Sequence, residues 1–316
     1  MRDYAILRQR SPATAAIPLF SQPGFFFNSA EHLCQQSTGP FCVITALNQV
    51  TRQADARCAF FVEPGRASSP AAAPFGSIEF ISTLSDSVLG GFIDALIDEA
   101  QSTGAFALRF VNYPHCYAPE QAQRLTDQLL QRGFCVVASN RNSYLPVTSA
   151  AFENVIEASE QRRLRKCQRA GFQFSHWGCP DVDEITSFLS KTRQQQGYKL
   201  TLPPDQLKKL LRTFPEQFSV FVVEDGPTLA ALTVTVRVRE DILYNFLPAS
   251  NPDYHAYSPM VLLTGGLFGY CQQQQIRLLD LGVSFDGNHQ PKPSLLRFKR
   301  NLGAQESPKL TFEKRF

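Results

Sequence analysis

Apolar positions along this chain alternate between two periods, and the changes of period mark out its elements. From Ser85, the residues Val88, Leu89, Phe92, Ile93, Leu96 and Ile97 recur at i, i+1, i+4, i+5, i+8 and i+9, one stripe of a helix that Gly104 closes. Phe106 to Val111 is a short apolar run of the buried-strand type. Pro119 opens a second helix with Ala122, Leu125, Leu129 and Leu130 inward, Gly133 stops it, and Phe134 to Ala138 follows as a strand. Upstream, Phe41 to Leu47 and Cys58 to Val62 read as strands joined by the polar stretch Asn48 to Ala56. Pro64 to Gly76, rich in Pro, Ala, Ser and Gly, reads as a loop. The first thirty residues hold apolar anchors without clear periodicity, and Asn28 or Ser29 caps a short helix through His32 and Leu33.

The second half repeats this order. Asp181 and Glu184 have capping-box spacing, and Ile185, Phe188 and Leu189 supply that helix with a buried face. Pro203-Pro204 precedes a short helix over Asp205 to Thr213. Phe218 to Val223, Leu229 to Val238 and Ile242 to Leu247 form an antiparallel meander, turning first at Glu224-Asp225-Gly226. Ser258-Pro259 then opens the helix Met260 to Gln275, followed by the apolar run Ile276 to Val283. The polar loop Ser284 to Lys292 leads to Pro293 and the basic helix Ser294 to Asn301, which Gly303 ends. Lys309 to Lys314 alternates like a closing strand of this domain. The reading is a duplicated α+β fold, split near residue 150 into domains 1–150 and 151–316, the repeat carried by element order alone.

Composition narrows the class. At 316 residues the chain can hold two domains of about 150 residues. Its 43% apolar and 19% charged residues are ordinary globular material. A net charge of +3 does not by itself argue for DNA or RNA. The 26 Phe against a single Trp and two Met point to cores of Phe and aliphatics. Eight scattered cysteines, with no C-x-x-C pair and no Cys/His group at zinc spacing, read as reduced thiols in a cytoplasmic protein without a metal. No apolar run reaches the roughly 18 residues of a membrane span, and no signal peptide is expected.

Two basic clusters and one helix start carry the candidate chemistry. Arg162, Arg163, Arg165, Lys166 and Arg169 surround a helix whose buried edge is Leu164 and Cys167. They are either a solvated connecting helix or a phosphate grip in which Arg165 and Lys166 bind substrate. Arg297, Lys299 and Arg300 form a second cluster, read either as surface charge or as cofactor-binding cations, with Leu296 and Phe298 inward. Ser258 is a good N-cap before Pro259, and the free N–H groups beyond it suit a pyrophosphate. G-x-G-x-x-G and G-x-x-x-x-G-K-[ST] are both absent, which removes a dinucleotide fold and a P-loop. Asp280 lies within an apolar strand, where a carboxylate needs a partner. It is either half of a buried ion pair or a group that orients a substrate amine. Tyr257, His255, Asp286 and His289 complete the acid–base candidates. Ser284 and Asn288 bound a polar loop and are candidates for substrate contact, although that loop also has plain turn chemistry.

Two of these segments resemble a known family. Arg163-Leu-Arg-Lys-Cys-Gln-Arg-Ala-Gly-Phe172 is similar to the "R-x-I-R-K-A-x-K-x-G" segment of Fem-like proteins. Leu279-Asp-Leu-Gly-Val-Ser284 and Phe298-Lys-Arg-Asn-Leu-Gly303 resemble their closing "D-F-x-G … F-K-x-x-F-G" pattern. The resemblance implies two tandem GNAT-like domains, each a twisted mixed sheet flanked by helices, with an acyl donor on the second and substrate in the cleft between them. It implies an acyl-CoA or aminoacyl-tRNA donor, a small-molecule or peptide amine as acceptor, and attack of that amine on an ester or thioester. On the residues themselves, Asp280 would orient the acceptor or a cationic partner and Tyr257 would supply a proton as the catalytic residues; Ser258, Arg297, Lys299 and Arg300 would hold the donor and its phosphates. The chain departs from the family at Tyr254-His-Ala-Tyr-Ser-Pro259, where acetyl-CoA enzymes carry R/Q-x-x-G-x-G/A, and no helical arm for tRNA is legible. A fold that binds a phosphate-bearing metabolite or partner without chemistry is the alternative.

Overall fold

The computed structural model describes residues 3–36, 39–178, 180–195, 197, 202–287 and 290–316. The chain divides into two compact units, one of Met1–Arg141 with Ser307–Phe316, the other of Asn142–Glu306.

The first unit contains β1 (Tyr4–Arg10), α1 (Ala30–Gln36), β2 (Phe41–Asn48), β3 (Ala54–Glu63), β4 (Arg66–Ser69), β5 (Glu79–Phe80), α2 (Asp86–Ser102), β6 (Ala107–Val111) and α3 (Pro119–Gln131), and most of β7 (Cys135–Pro146). β1, β2, β3 and β4 pair antiparallel in succession, β4 pairs parallel with β6, and β5 pairs β3. The expected helix from Ser85 is α2: the Ser85 hydroxyl accepts the Val88 N–H at 3.3 Å. Its stripe of Val88, Leu89, Phe92, Ile93 and Leu96 is buried against Ile44, Phe60, Phe110 and Phe312. Each such side chain contributes about 1.5–3 kcal/mol on leaving water.

Part of the segment read as a loop from Pro64 to Gly76 is a strand. β4 is paired on both sides, to β3 and β6, so a Ser/Ala sequence of weak strand propensity is held extended by its neighbours. β1 was likewise hidden, since only pairing with β2 reveals it.

The second unit contains the end of β7, α4 (Phe152–Val155), α5 (Ala158–Arg169), β8 (Gln173–His176), α6 (Val182–Gln195), α7 (Pro204–Thr213), β9 (Phe218–Asp225), β10 (Thr228–Arg239), β11 (Ile242–Ser250), α8 (Pro259–Gln273), β12 (Leu278–Val283) and α9 (Pro293–Asn301). β8, β9, β10 and β11 pair antiparallel in succession; β11 pairs parallel with β12, and β12 antiparallel with Asn142–Pro146 of β7. Val261, Leu267 and Phe268 of α8 bury against Phe221, Leu243 and Leu279. Asp181 caps α6 as its spacing predicts, accepting from the Asp183 and Glu184 amides at 2.8 and 3.3 Å.

The last strand, β13 (Gln305–Arg315), corrects one expectation. Instead of closing the second unit, it pairs antiparallel with β6 of the first through Thr311–Arg315. The order β2-β3-β4-α2-β6-α3-β7 therefore recurs as β9-β10-β11-α8-β12-α9-β13, with each closing strand supplied to the other repeat's sheet. The architecture is a mixed α/β duplication.

Candidate functional site

In the second unit, two neighbouring parallel strands come apart. β11 and β12 pair only at Ile242–Leu278, Leu243–Leu279 and Tyr244–Asp280, yet β11 continues to Ser250. Both strands are irregular at this point. On β11, Val234 of β10 faces Leu247 and Thr235 faces Asn245, so Phe246 is an extra residue. Thr233 Oγ1 donates to Asn245 Oδ1 at 2.5 Å and holds that bulge. On β12, Tyr144 faces Asp280 and Ser143 faces Gly282, so Leu281 is extra. Beyond Tyr244, β11 has no further pairing with β12 among the described residues, and Arg193 of α6 donates to the Pro248 carbonyl there at 2.9 Å.

Asp280 builds the second bulge. It is 2% exposed, and its Oδ1 accepts from Asn142 Nδ2 and from the Gly282 amide, both at 2.7 Å. Gly282 has φ +71°, the left-handed region in which a glycine carries no side-chain penalty. A Cβ there would also sit 3.1 Å from the Tyr244 ring. The bulge turns the carbonyls of Gly282 and Val283 toward Lys299, whose Nζ donates to them at 2.8 and 2.9 Å. Lys299 is therefore buried, at 7% exposure, and not on the phosphate-facing surface where the sequence reading set it. Burial pushes its ammonium down to about 8, against the pull of the Asp280 carboxylate, which favours the charge. Burial also raises the Tyr244 hydroxyl, with Asp280 adding to the shift.

Two hydroxyls at the bulge have no hydrogen-bond partner and are shut off from solvent, those of Ser143 and Ser284. Ser284 belongs to the expected substrate-contact loop, whereas Ser143 was missed because only its register against Gly282 brings it here. Asn288 and His289 lie outside the described residues.

α8 starts at the end of the chain that leaves β11. Ser258 occupies the N-cap position, but with φ 58° and ψ 56°, and its side chain makes no cap hydrogen bond. The expected Ser cap is absent because a left-handed backbone points the hydroxyl away from the helix. That conformation costs about 1 kcal/mol or more, and α5 clamps the loop that adopts it. Lys166 Nζ donates to the Ala256 carbonyl at 2.7 Å and lies 4.8 Å from the Tyr257 ring centroid. The Cys167 thiol donates to the Tyr257 carbonyl at 2.9 Å, and Phe172 packs on Tyr254 and Tyr257. Lys166 and Tyr257 thus shape the helix start, and Tyr257 is not among the residues that Asp280 bonds. Arg165 is exposed on α5. Arg297 is exposed, with no ion pair among the described residues, and Arg300 pairs with Glu306 at 2.5 Å.

The strand pair that parts after Tyr244 and Asp280 and the helix start with no side-chain cap both lie in the stretch that comparison with known proteins assigns. Residues 158–300 match the family model of acetyltransferase (GNAT) domains. The GNAT domain falls in the second unit, and the chain as a whole shares the tandem GNAT fold. It superposes on FemX with a TM-score of 0.70 at 11% identity, covering 98% of this chain and 97% of that one. L-PGS from Bacillus licheniformis superposes with a TM-score of 0.54 at 14% identity, covering 82% and 81%. A tandem GNAT protein from the clavulanic acid biosynthesis pathway gives 0.52 at 10% identity, covering 87% and 82%. At these identities the likeness is one of fold. No curated protein matches the sequence. No described helix is long and apolar enough to cross a membrane.

Proposed function

We propose that the domain expected after residue 150 transfers an acyl group from a phosphate-bearing donor to an amine. The observation that carries this is the parting of β11 from β12 after Tyr244 and Asp280, beside a helix start that no side chain caps. The acyl arm of a donor would lie between β11 and β12 where they part, and its phosphates would meet the first-turn amides of α8 and the exposed Arg297. Acyl-CoA, the usual donor of GNAT domains, suits such a groove.

Lys299 supplies the charge. An ammonium pushed to about 8 remains mostly protonated at neutral pH, fixed and desolvated behind the bulge. There it stabilises negative charge that develops on the acyl oxygen, with little reorganisation. Asp280 acts as a positioning group, since it makes the bulge that aims Lys299. The buried hydroxyls of Ser143 and Ser284 are groups that a bound substrate would satisfy. Tyr257 belongs to the donor end through its place before Ser258.

A second donor, aminoacyl-tRNA, is favoured by one observation. Arg162, Arg165 and Arg169 fall at i, i+3 and i+7 on α5 and are all exposed, a cationic stripe with no ion pairs among the described residues. Thermal shift against acyl-CoAs and aminoacyl-tRNA separates the two, because a ligand at a hundred times its Kd adds about 2.7 kcal/mol of stability. Arg297→Ala combined with Arg300→Ala should weaken the donor's shift and leave the unliganded Tm within a degree or two, since the Arg300–Glu306 pair is exposed and worth at most about 1 kcal/mol. Undiminished donor binding in the folded double variant would remove the phosphate role.

A further inference from the structure

The first unit has a cleft that the acyl-transfer reading leaves unused. It has a volume of about 310 Å³ and runs along β4 and β6, lined by Glu63, Arg66, Ser68, Ser69, Arg109 and Val111. The parallel register places Ser68 opposite Arg109, and Arg66 lies two residues before Ser68 on the same face. The other face of these strands, through Ala67, Leu108 and Phe110, is core. Two guanidinium groups and a hydroxyl therefore converge on one side of two adjacent strands.

The polar atoms of this cleft are short of partners. Arg66 Nε and Ser68 Oγ are both sealed from solvent and hydrogen-bonded to nothing in the protein. Arg109 makes no side-chain hydrogen bond or ion pair among the described residues. Glu63 is the one carboxylate lining the cleft, and it reaches only Arg66 NH2, at 3.3 Å. Glu313 of β13 stands in register with Arg109 but pairs with Arg315 at 3.3 Å. With Arg66, Arg109 and Arg315 against Glu63 and Glu313, the cleft and its rim still carry a net positive charge and a surplus of donors. The far wall is fixed. Ala71 and Ala72 donate their amides to Gln36 Oε1 at 3.2 and 3.4 Å, and Lys309 Nζ donates to the Pro74 carbonyl at 2.8 Å. Ser69 Oγ accepts the Ser77 amide at 2.9 Å. The cleft occupies β4 and β6, the counterparts in the repeat of β11 and β12, but it is lined with arginine where the second unit offers a helix start.

We infer that this cleft is a binding site for the oxyanion end of a small ligand, carboxylate or phosphate, gripped by Arg66, Ser68 and Arg109. Forked guanidinium donors beside a hydroxyl match both groups. The volume is at the small end of ligand pockets and admits a molecule of about amino-acid or dipeptide size. None of its residues belongs to the second unit.

The test is calorimetric titration of the full chain with inorganic phosphate, succinate and glutamate. Saturable binding of at least one is expected, weakened about tenfold or more by Arg109→Gln, as loss of one charged hydrogen-bonding group implies. Val111→Glu, which leaves both arginines in place and adds a like charge to the ligand, should abolish it. Arg297→Ala, in the second unit, should leave it unchanged. Binding of the carboxylates alone assigns a carboxylate ligand, and binding of phosphate alone assigns a phosphoryl ligand. No saturable binding to the folded chain, or binding that survives both Arg109→Gln and Val111→Glu, overturns the inference. Loss of binding in Arg297→Ala would place the anion in the donor groove and also overturn it, whatever becomes of the acyltransferase reading.

Discussion

Replacing Lys299 by Met tests the buried ammonium and hence the centre of the proposed site. Nζ loses its bonds to the Gly282 and Val283 carbonyls, at 2.8 and 2.9 Å, and leaving those acceptors unmade costs about 1–3 kcal/mol each. Against this stands the cost of burying a charge. Lys299 titrates at about 8 in the folded chain and near about 10.4 when unfolded. The gap corresponds to about 3 kcal/mol. The sign follows from proton counting. Below pH 8 both states hold the proton, and the folded state bears the full penalty. Between 8 and about 10.4 the native lysine has released it and the unfolded one has not, so stability attributable to this group rises with pH. Wild type should therefore gain on Lys299→Met by about 3 kcal/mol from pH 7 to pH 10.5, because the methionine cannot titrate. Urea denaturation of both proteins under reducing conditions, followed by the single Trp, Trp177 in the second unit, gives the difference at each pH. All other alkaline groups cancel in that difference. Two parallel stability curves would show that Lys299 titrates normally and would refute the buried-cation argument together with its electrostatic role.

Other perturbations have similarly defined outcomes. Gly266→Ala should destabilise by about 1–3 kcal/mol despite better helix propensity, because its Cβ would lie 2.3 Å from the Phe174 ring. Gly269→Ala, on the same helix with nothing within 4 Å, should instead stabilise by about 0.5–1 kcal/mol in thermal melts; equal effects would disprove the packing account. Burial holds the His32 imidazole down to about 4, the Phe27 carbonyl opposing, so the folded state keeps it neutral. Stability from this site should fall as pH drops from about 6.5 to 4, by about 3 kcal/mol, and His32→Gln should lack that slope in acid melts. Asp280→Ala leaves the Asn142 and Gly282 donors unpaired and should cost about 2–5 kcal/mol in urea denaturation. It should also shift the alkaline limb of any activity profile to lower pH, since Lys299 loses the carboxylate that favours its charge.

What the sequence alone determined was local. The stripe from Val88 to Leu96, its Ser85 cap, Pro119 at a helix start and Asp181 as a cap are each decided by residues within a few positions of one another, and all are realised. Order of elements, and with it the tandem fold, was legible for the same reason. Tertiary structure decided what depends on distant partners. β4 is a strand because β3 and β6 flank it, not because Arg66 to Ser69 favours one. Lys299, between the exposed Arg297 and Arg300, looks like any surface cation until the Gly282 bulge, held by Asp280 and Asn142, turns two carbonyls toward it. Ser143 enters the site only through its register with Gly282, and Arg66 meets Arg109 only through parallel pairing. Hydrophobic period and capping are short-range properties that the chain writes down directly. A bulge, a register and an orphaned hydroxyl exist only between strands, so no window of sequence contains them.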